Sequence, residues 1–265
     1  MNLKIITNQV CNLARAVGKF IQIEAHQFRE ADIEFKGLHN LVTYVDKKAE
    51  ERLINELSML IPKAGFIAEE SPNIERKTEF NWIIDPLDGT TNFIHGVPVY
   101  CISIALEYKS EIILGVVYEI NRDECFYSWK GEKAYLNNKS IQVSQSSSLD
   151  HSLLATGFPY YDYGRLDEYL KLFKHFMQHT RGVRRLGSAA ADLAYVACGR
   201  FDGFYEYGLQ SWDVAAGSFI VTQAGGINTD FAGNSNYIFG KEIISSNKNI
   251  YQELSAVIKN HFAKS

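Results

Sequence analysis

The stretch Trp82-Ile83-Ile84-Asp85-Pro86-Leu87-Asp88-Gly89-Thr90-Thr91-Asn92-Phe93 runs an apolar strand into two carboxylates three residues apart. Pro86 fixes its own φ and confines Asp85 to extended backbone, so the chain is expected to leave the strand at Asp85 in a defined direction. Asp85 and Asp88 then share one tight turn. Carboxylates this close repel unless a cation lies between them. The Leu87 carbonyl offers a third oxygen, and hard oxygen ligands suit Mg²⁺ or Mn²⁺ rather than zinc. Gly89, without a Cβ, lets the backbone approach a ligand closely. Asp88 is also placed to cap a short helix from Thr90-Thr91-Asn92, whose first N–H groups attract an anion. Taken alone, D-x-x-D-G reads equally well as an ordinary turn closed by a helix cap.

Three further acids stand in suggestive places. Glu69 and Glu70 follow the apolar Phe66-Ile67-Ala68, at the end of an expected strand. Asp46 follows Leu41-Val42-Thr43 at the start of an expected helix, and Asp213 begins another behind Gln210-Ser211-Trp212. Each has a plain structural reading: a solvated turn, a charge favoured by the helix dipole, an N-cap.

Outward from these segments the period of the pattern changes twice. Leu3, Ile6, Val10, Leu13, Val17 and Phe20 step by three and four, which predicts a helix over 3–28. After a polar stretch holding Lys36, Gly37, His39 and Asn40, a second helix is expected over 43–60, closed by Pro62. Residues 82–85, 99–108, 111–120, 124–129 and 133–143 are rich in β-branched and aromatic residues and are separated by turn signals, as in an antiparallel meander. Beyond Gln145–Ser148 strands and helices alternate: strands at 152–156, 183–186, 202–206, 227–230 and 242–246, helices at 165–178, 188–199, 213–224 and 248–261. This predicts an α+β unit over 1–144 and an α/β unit over 145–265, with a site between them.

The composition narrows the classes. The chain has 265 residues, 46% hydrophobic and 22% charged, which excludes a disordered, collagenous or coiled-coil protein. With 27 basic and 31 acidic side chains the net charge is −4, giving no bulk attraction to nucleic acid or anionic membrane. No apolar run reaches membrane-spanning length, and Asn8, Asn12 and Arg15 break any signal-peptide core. Cys11, Cys101, Cys125 and Cys198 are scattered and apolar in setting, as expected of reduced thiols in a cytoplasmic protein. P-loop and G-x-S-x-G motifs are absent. His95 reads as a rim or structural histidine, and Arg181, Arg184 and Arg185 as a small exposed basic cluster.

WIIDPLDGTTNFIHGVP (82–98) and SWDVAAGSFIVTQAGG (211–226) resemble the two signature segments of the inositol monophosphatase family. Leu41–Asp46 and Phe66–Ser71 match its other acidic segments in order and spacing, and Gly187–Arg200 resembles its next helix. The resemblance implies a mixed α/β and α+β fold, the layered αβαβα sandwich of the sugar phosphatases. It implies Mg²⁺-dependent hydrolysis of a phosphate monoester without a covalent intermediate, lithium sensitivity and a homodimer. Glu69, Asp85 and the Leu87 carbonyl would bind one metal, Asp85, Asp88 and Asp213 a second, and Glu69 would help hold a third. Thr90 would orient the attacking water and Asp46 would accept its hydrogen bond. Gly89, Thr90 and Thr91 would hold the phosphate, and Asp88, Ala189, Glu206 and Asp213 would meet the sugar hydroxyls. Glu70 would stand behind the ligands, and Lys36 takes the place of a mobile-loop lysine. Ala68 and Asn40 depart from the family's usual Gly and Asp. Gly157-Phe158-Pro159-Tyr160 and Val183-Arg184-Arg185 look bacterial.

The chemistry agrees with those roles. Two ions about 3.5–4 Å apart relieve charge on both the attacking and the leaving oxygen of a phosphoryl group. The expected substrate is myo-inositol-1-phosphate; fructose 1,6-bisphosphate and 3′-phosphoadenosine 5′-phosphate are the alternatives on this fold. An alternative of another class is a partner-binding regulatory protein using the Arg184/Arg185 surface, with a protein or nucleic-acid partner.

Overall fold

In β4 (Phe80–Asp88) Trp82 and Ile84 point to one side and Ile83 to the other, and all three are buried. A strand buried on both faces needs a covering layer on each. The computed structural model describes residues 1–28, 33–37, 40–71, 76–159 and 163–262, with backbone alone for 33–37 and 40–42. In it β4 belongs to a seven-stranded sheet of order β3-β4-β5-β6-β7-β8-β9. Its other members are β3 (Gly65–Ala68), β5 (Cys101–Tyr108), β6 (Glu111–Glu119), β7 (Glu124–Trp129), β8 (Tyr135–Leu136) and β9 (Lys139–Ser140). β3 runs parallel to β4, and the rest form the antiparallel meander.

One face of this sheet packs on α1 (Leu3–Ala25) and α2 (Tyr44–Leu60), through Val10, Val17, Ile21, Leu53 and Leu57. The other face packs on α5 (Ala189–Ala197) and α6 (Ser211–Gln223), where Ile83, Val117 and Phe126 meet Leu193, Ala216 and Ile220. Burying a side chain such as Trp82 or Phe126 contributes roughly 1.5–3 kcal/mol. Beyond α5 and α6 lies a second sheet of order β11-β10-β12-β14-β13. Its strands are β10 (Leu153–Thr156), β11 (Gly182–Arg184), β12 (Gly203–Tyr207), β13 (Ile227–Thr229) and β14 (Glu242–Ser246). Its far face is closed by α4 (Leu166–His179) and α7 (Tyr251–Phe262), through Leu154, Tyr205, Phe176 and Ile258. The layers run α, β, α, β, α.

Three local expectations need correction. β4 does not end at Asp85; it continues to Asp88, because Pro86, lacking an N–H, is accommodated in a bulge after which the ladder resumes. The segment at 133–143 is two two-residue strands, β8 and β9, turned by Asn137 and Asn138 at positive φ, rather than one strand. The polar stretch before α2 carries an antiparallel pair, β1 (Ile33–Gly37) with β2 (Asn40–Thr43). The Lys36 side chain, His39 and Tyr160 lie outside the described residues. No helix among the described residues is long and apolar enough to cross a membrane.

Candidate active site

The bulge in β4 shapes the centre. Asp85 pairs with Ser103 and Asp88 with Cys101, so two residues of β4, Pro86 and Leu87, stand against the single Ile102 of β5. The Leu87 N–H donates to Asp85 Oδ1 at 2.9 Å, closing the bulge on its own acid. Gly89 follows at φ +100°, and a Cβ there would lie 3.1 Å from the Val99 carbonyl oxygen. It starts α3 (Thr90–Ile94) without a side-chain cap, so Asp88 does not cap α3 as expected. Asp88 Oδ2 instead accepts the Ser188 hydroxyl and the Ala190 N–H, both at 2.6 Å, at the start of α5.

The other acids also sit at helix starts. Asp213, in the first turn of α6, accepts the Gln210 N–H at 2.7 Å. Asp46, in the first turn of α2, accepts the Thr43 N–H at 2.8 Å and the Thr43 hydroxyl at 2.6 Å. Its other oxygen lies 2.9 Å from Thr90 Oγ1, which also reaches the Leu87 carbonyl at 3.1 Å. N–H groups and helix dipoles favour negative charge at each place.

One oxygen each from Asp85, Asp88 and Asp213 lie within 4.8 Å of one another. Burial, then the charges of Glu69, Asp88 and Asp213, hold the Asp85 carboxyl well above the usual range. Burial pushes Asp88 up to about 6, against the Ser188 and Ala190 hydrogen bonds and the Arg185 charge. Burial and then Asp88 push Asp213 up to about 7. Glu69 is raised well above the usual range by burial, then by the charges of Asp213 and Glu70. Four mutually repelling acids with oxygen ligands alone fit a hard divalent cation, which would remove the repulsion.

These acids line a cleft of about 430 Å³. Leu87, Gly89, Thr90, Thr91, Ala189 and Glu206 line it too. Asp46 stands behind Thr90 rather than on the wall, and Glu70 stays off it, its N–H donating to Glu50 Oε2 at 2.8 Å. Glu206 is raised by burial and then by Asp213, with Arg185 opposing. His95 is exposed at the end of α3.

Other contributors are set by tertiary contacts rather than by a sequence motif. Glu50, buried on α2, holds the turn of Glu69 and Glu70; its signal is an acid on an otherwise apolar helix face. Asn92 donates to the Val99 and Leu186 carbonyls, both at 2.8 Å, tying α3 to the loop before α5. The basic cluster is not one surface: Arg184 is exposed, whereas Arg185 lines the cleft with its guanidinium 5.3 Å from the Phe158 ring centroid. Asp192, fully buried on α5, also lines the cleft.

A five-layer sandwich with a carboxylate centre at its helix starts defines the class of metal-dependent phosphatases. The chain matches the inositol monophosphatase family over residues 2–262 and belongs to that family. It is 39% identical over 263 residues, 97% of each chain, to the Nus factor SuhB of Pseudomonas aeruginosa. It is 36% identical, over 96% of each chain, to an inositol-1-monophosphatase of Mesorhizobium japonicum. The crystal structure of the extragenic suppressor protein suhB of Bartonella henselae matches with a TM-score of 0.92 at 39% identity, over 96% of this chain and 98% of that one.

Proposed function

We propose that the chain is a Mg²⁺-dependent phosphatase that removes phosphate from a polyol monophosphate, with myo-inositol-1-phosphate as its substrate. The observation that carries this is the meeting of Asp85, Asp88 and Asp213 in one cleft, three acids held together against their own repulsion. Glu69, Asp85, Asp88, Asp213 and the Leu87 carbonyl would hold two to three Mg²⁺ ions, with Mn²⁺ a substitute. Bound Mg²⁺ supplies positive charge to the phosphoryl oxygens and lowers the pKa of water.

The chain's own groups do the rest. The Thr90 hydroxyl donates a hydrogen bond to Asp46 Oδ1 or to the Leu87 carbonyl, so an oxygen lone pair is left to accept one from an incoming water. The N–H groups of Gly89 and Thr90, with Thr91, hold the phosphate, and Glu206 and Ala189 meet the hydroxyls. No side-chain nucleophile is required: Cys101 is fully buried, and burial pushes its thiol well up.

Phosphate release from myo-inositol-1-phosphate, fructose 1,6-bisphosphate, 3′-phosphoadenosine 5′-phosphate and glycerol-2-phosphate, with and without Mg²⁺, tests this. Preferential Mg²⁺-dependent turnover of the inositol ester is expected; another preference moves the substrate, and no turnover removes the reading.

A second reading rests on the exposure of Arg184 on β11, an edge strand, together with the name Nus factor carried by a relative. It is a protein or nucleic-acid partner surface coexisting with catalysis. Identical partner sets captured by wild type and Arg184→Ala would reject it.

A further inference from the structure

Asp192 breaks a rule that the rest of α5 obeys. All nine residues of this helix are buried, and Asp192 is the only acid among them. It is 1% exposed, and its Oδ1 has no hydrogen-bond partner among the described residues. A buried carboxylate oxygen left unpaired destabilises a fold, and an apolar side chain of similar size would fit this helix better. Such a violation is expected where a ligand brings the missing donor, and Asp192 lines the cleft.

Its surroundings narrow that ligand. Glu206 lines the same part of the cleft, seated against Gly157 so closely that a Cβ there would lie 2.0 Å from its Oε1. Burial, then the charges of Glu206 and Asp88, hold the Asp192 carboxyl well above its usual range, and the Arg185 charge opposes the rise in Asp192 and Glu206 alike. Two carboxyl groups therefore share this cleft wall with one guanidinium, that of Arg185. A second phosphate would add negative charge to a wall that already carries an excess of acids. A hydroxyl adds a donor and no charge, and donation to Oδ1 favours the ionised acid.

We propose that Asp192, with Glu206 and Arg185, forms a hydroxyl-reading subsite that admits the uncharged polyol end of a monophosphate and rejects a second phosphate. Asp192 is its specificity-determining residue. The inference rests on the phosphatase reading above and adds to it the chemistry that the far end of the substrate must have.

The test compares kcat and KM for myo-inositol-1-phosphate, cyclohexyl phosphate and fructose 1,6-bisphosphate, in wild type, Asp192→Ala and Asp192→Asn. Cyclohexyl phosphate keeps the ring and loses every hydroxyl. The wild type should favour the inositol ester, and in Asp192→Ala that preference in kcat/KM should fall by about ten- to hundred-fold, mostly through KM. Asp192→Asn, which keeps an oxygen acceptor without the charge, should recover part of the preference and accept the bisphosphate better. Both variants should melt at or above the wild-type temperature, since no native partner is lost. An unchanged preference, or a lowered melting temperature with equal losses on all esters, would overturn the subsite while leaving the phosphatase reading intact. A wild-type protein idle on all three esters with Mg²⁺ present would remove both.

Discussion

Asp88 and Ser188, a hundred residues apart in sequence, are joined by a 2.6 Å hydrogen bond in which the serine hydroxyl donates to the carboxylate. The same Ser188 oxygen accepts the Ala191 N–H at 3.2 Å, so one hydroxyl both caps α5 and holds an acid of the centre. The charge that repels Asp85 and Asp213 is thereby fixed by the helix of the middle layer.

Ser188→Ala removes both bonds. Loss of the cap should lower stability by about 1 kcal/mol, read from urea unfolding. Asp88 should also lose orientation, so Mg²⁺ titrations should show weaker binding than in the wild type. Unaltered Mg²⁺ affinity would mean that the Ala190 N–H alone suffices to hold Asp88.

Asp85→Asn is expected to lower Mg²⁺-dependent turnover by more than about a hundred-fold. It should also raise the melting temperature of the metal-free protein, because Asp85 is the buried member of the three-aspartate group, Asp88 and Asp213 being partly exposed. Retained turnover would take Asp85 out of the metal centre.

Thr90→Val keeps the shape of the side chain and deletes the hydroxyl between Asp46 and the cleft. We expect kcat to fall by about a hundred-fold or more while KM stays within a few-fold, as suits a group that orients the attacking water. A rise in KM with kcat preserved would assign Thr90 to phosphate binding instead.

The metal-free protein should respond to pH in an unusual direction. Asp88 at about 6 and Asp213 at about 7 lie above the ordinary aspartate value of 3.8, so the folded state binds more protons than the unfolded state between these limits. Stability is then full below about pH 4 for these groups and is lost as pH rises through 6 to 7, by an amount on the order of a few kcal/mol. Melting curves in chelator from pH 5 to 8 should fall with pH, and added Mg²⁺ should flatten the fall. A rise over that range would contradict the repulsion.

What the sequence made legible follows from what is local. Asp85 and Asp88 share one strand end, and Glu69 directly follows the neighbouring strand, so short-range pattern suffices to find them. Their meeting with Asp213 and Glu206 was legible only through the family resemblance, because nothing in spacing says that α6 and β12 reach the same cleft. Arg185 looked like one of three exposed arginines, since the turn at Gly187, φ +92°, that precedes α5 is a tertiary feature. Asp192 carries a local signal, an acid inside an apolar helix run. The strand end at Asp85 differs from the expectation because proline usually stops a central strand, whereas a bulge here keeps the ladder going to Asp88.

The sandwich also sets an order in time. Asp85 and Asp88 emerge early in synthesis with the seven-stranded sheet, whereas Ser188, Glu206 and Asp213 come from the middle helices and the second sheet. A growing chain therefore carries half a centre, without the cap that steadies Asp88 or the third acid. Because those partners are so distant in sequence, their docking belongs to the slow, late part of folding. On the phosphatase reading proposed above, ability to bind the ion would report that the last layers have closed.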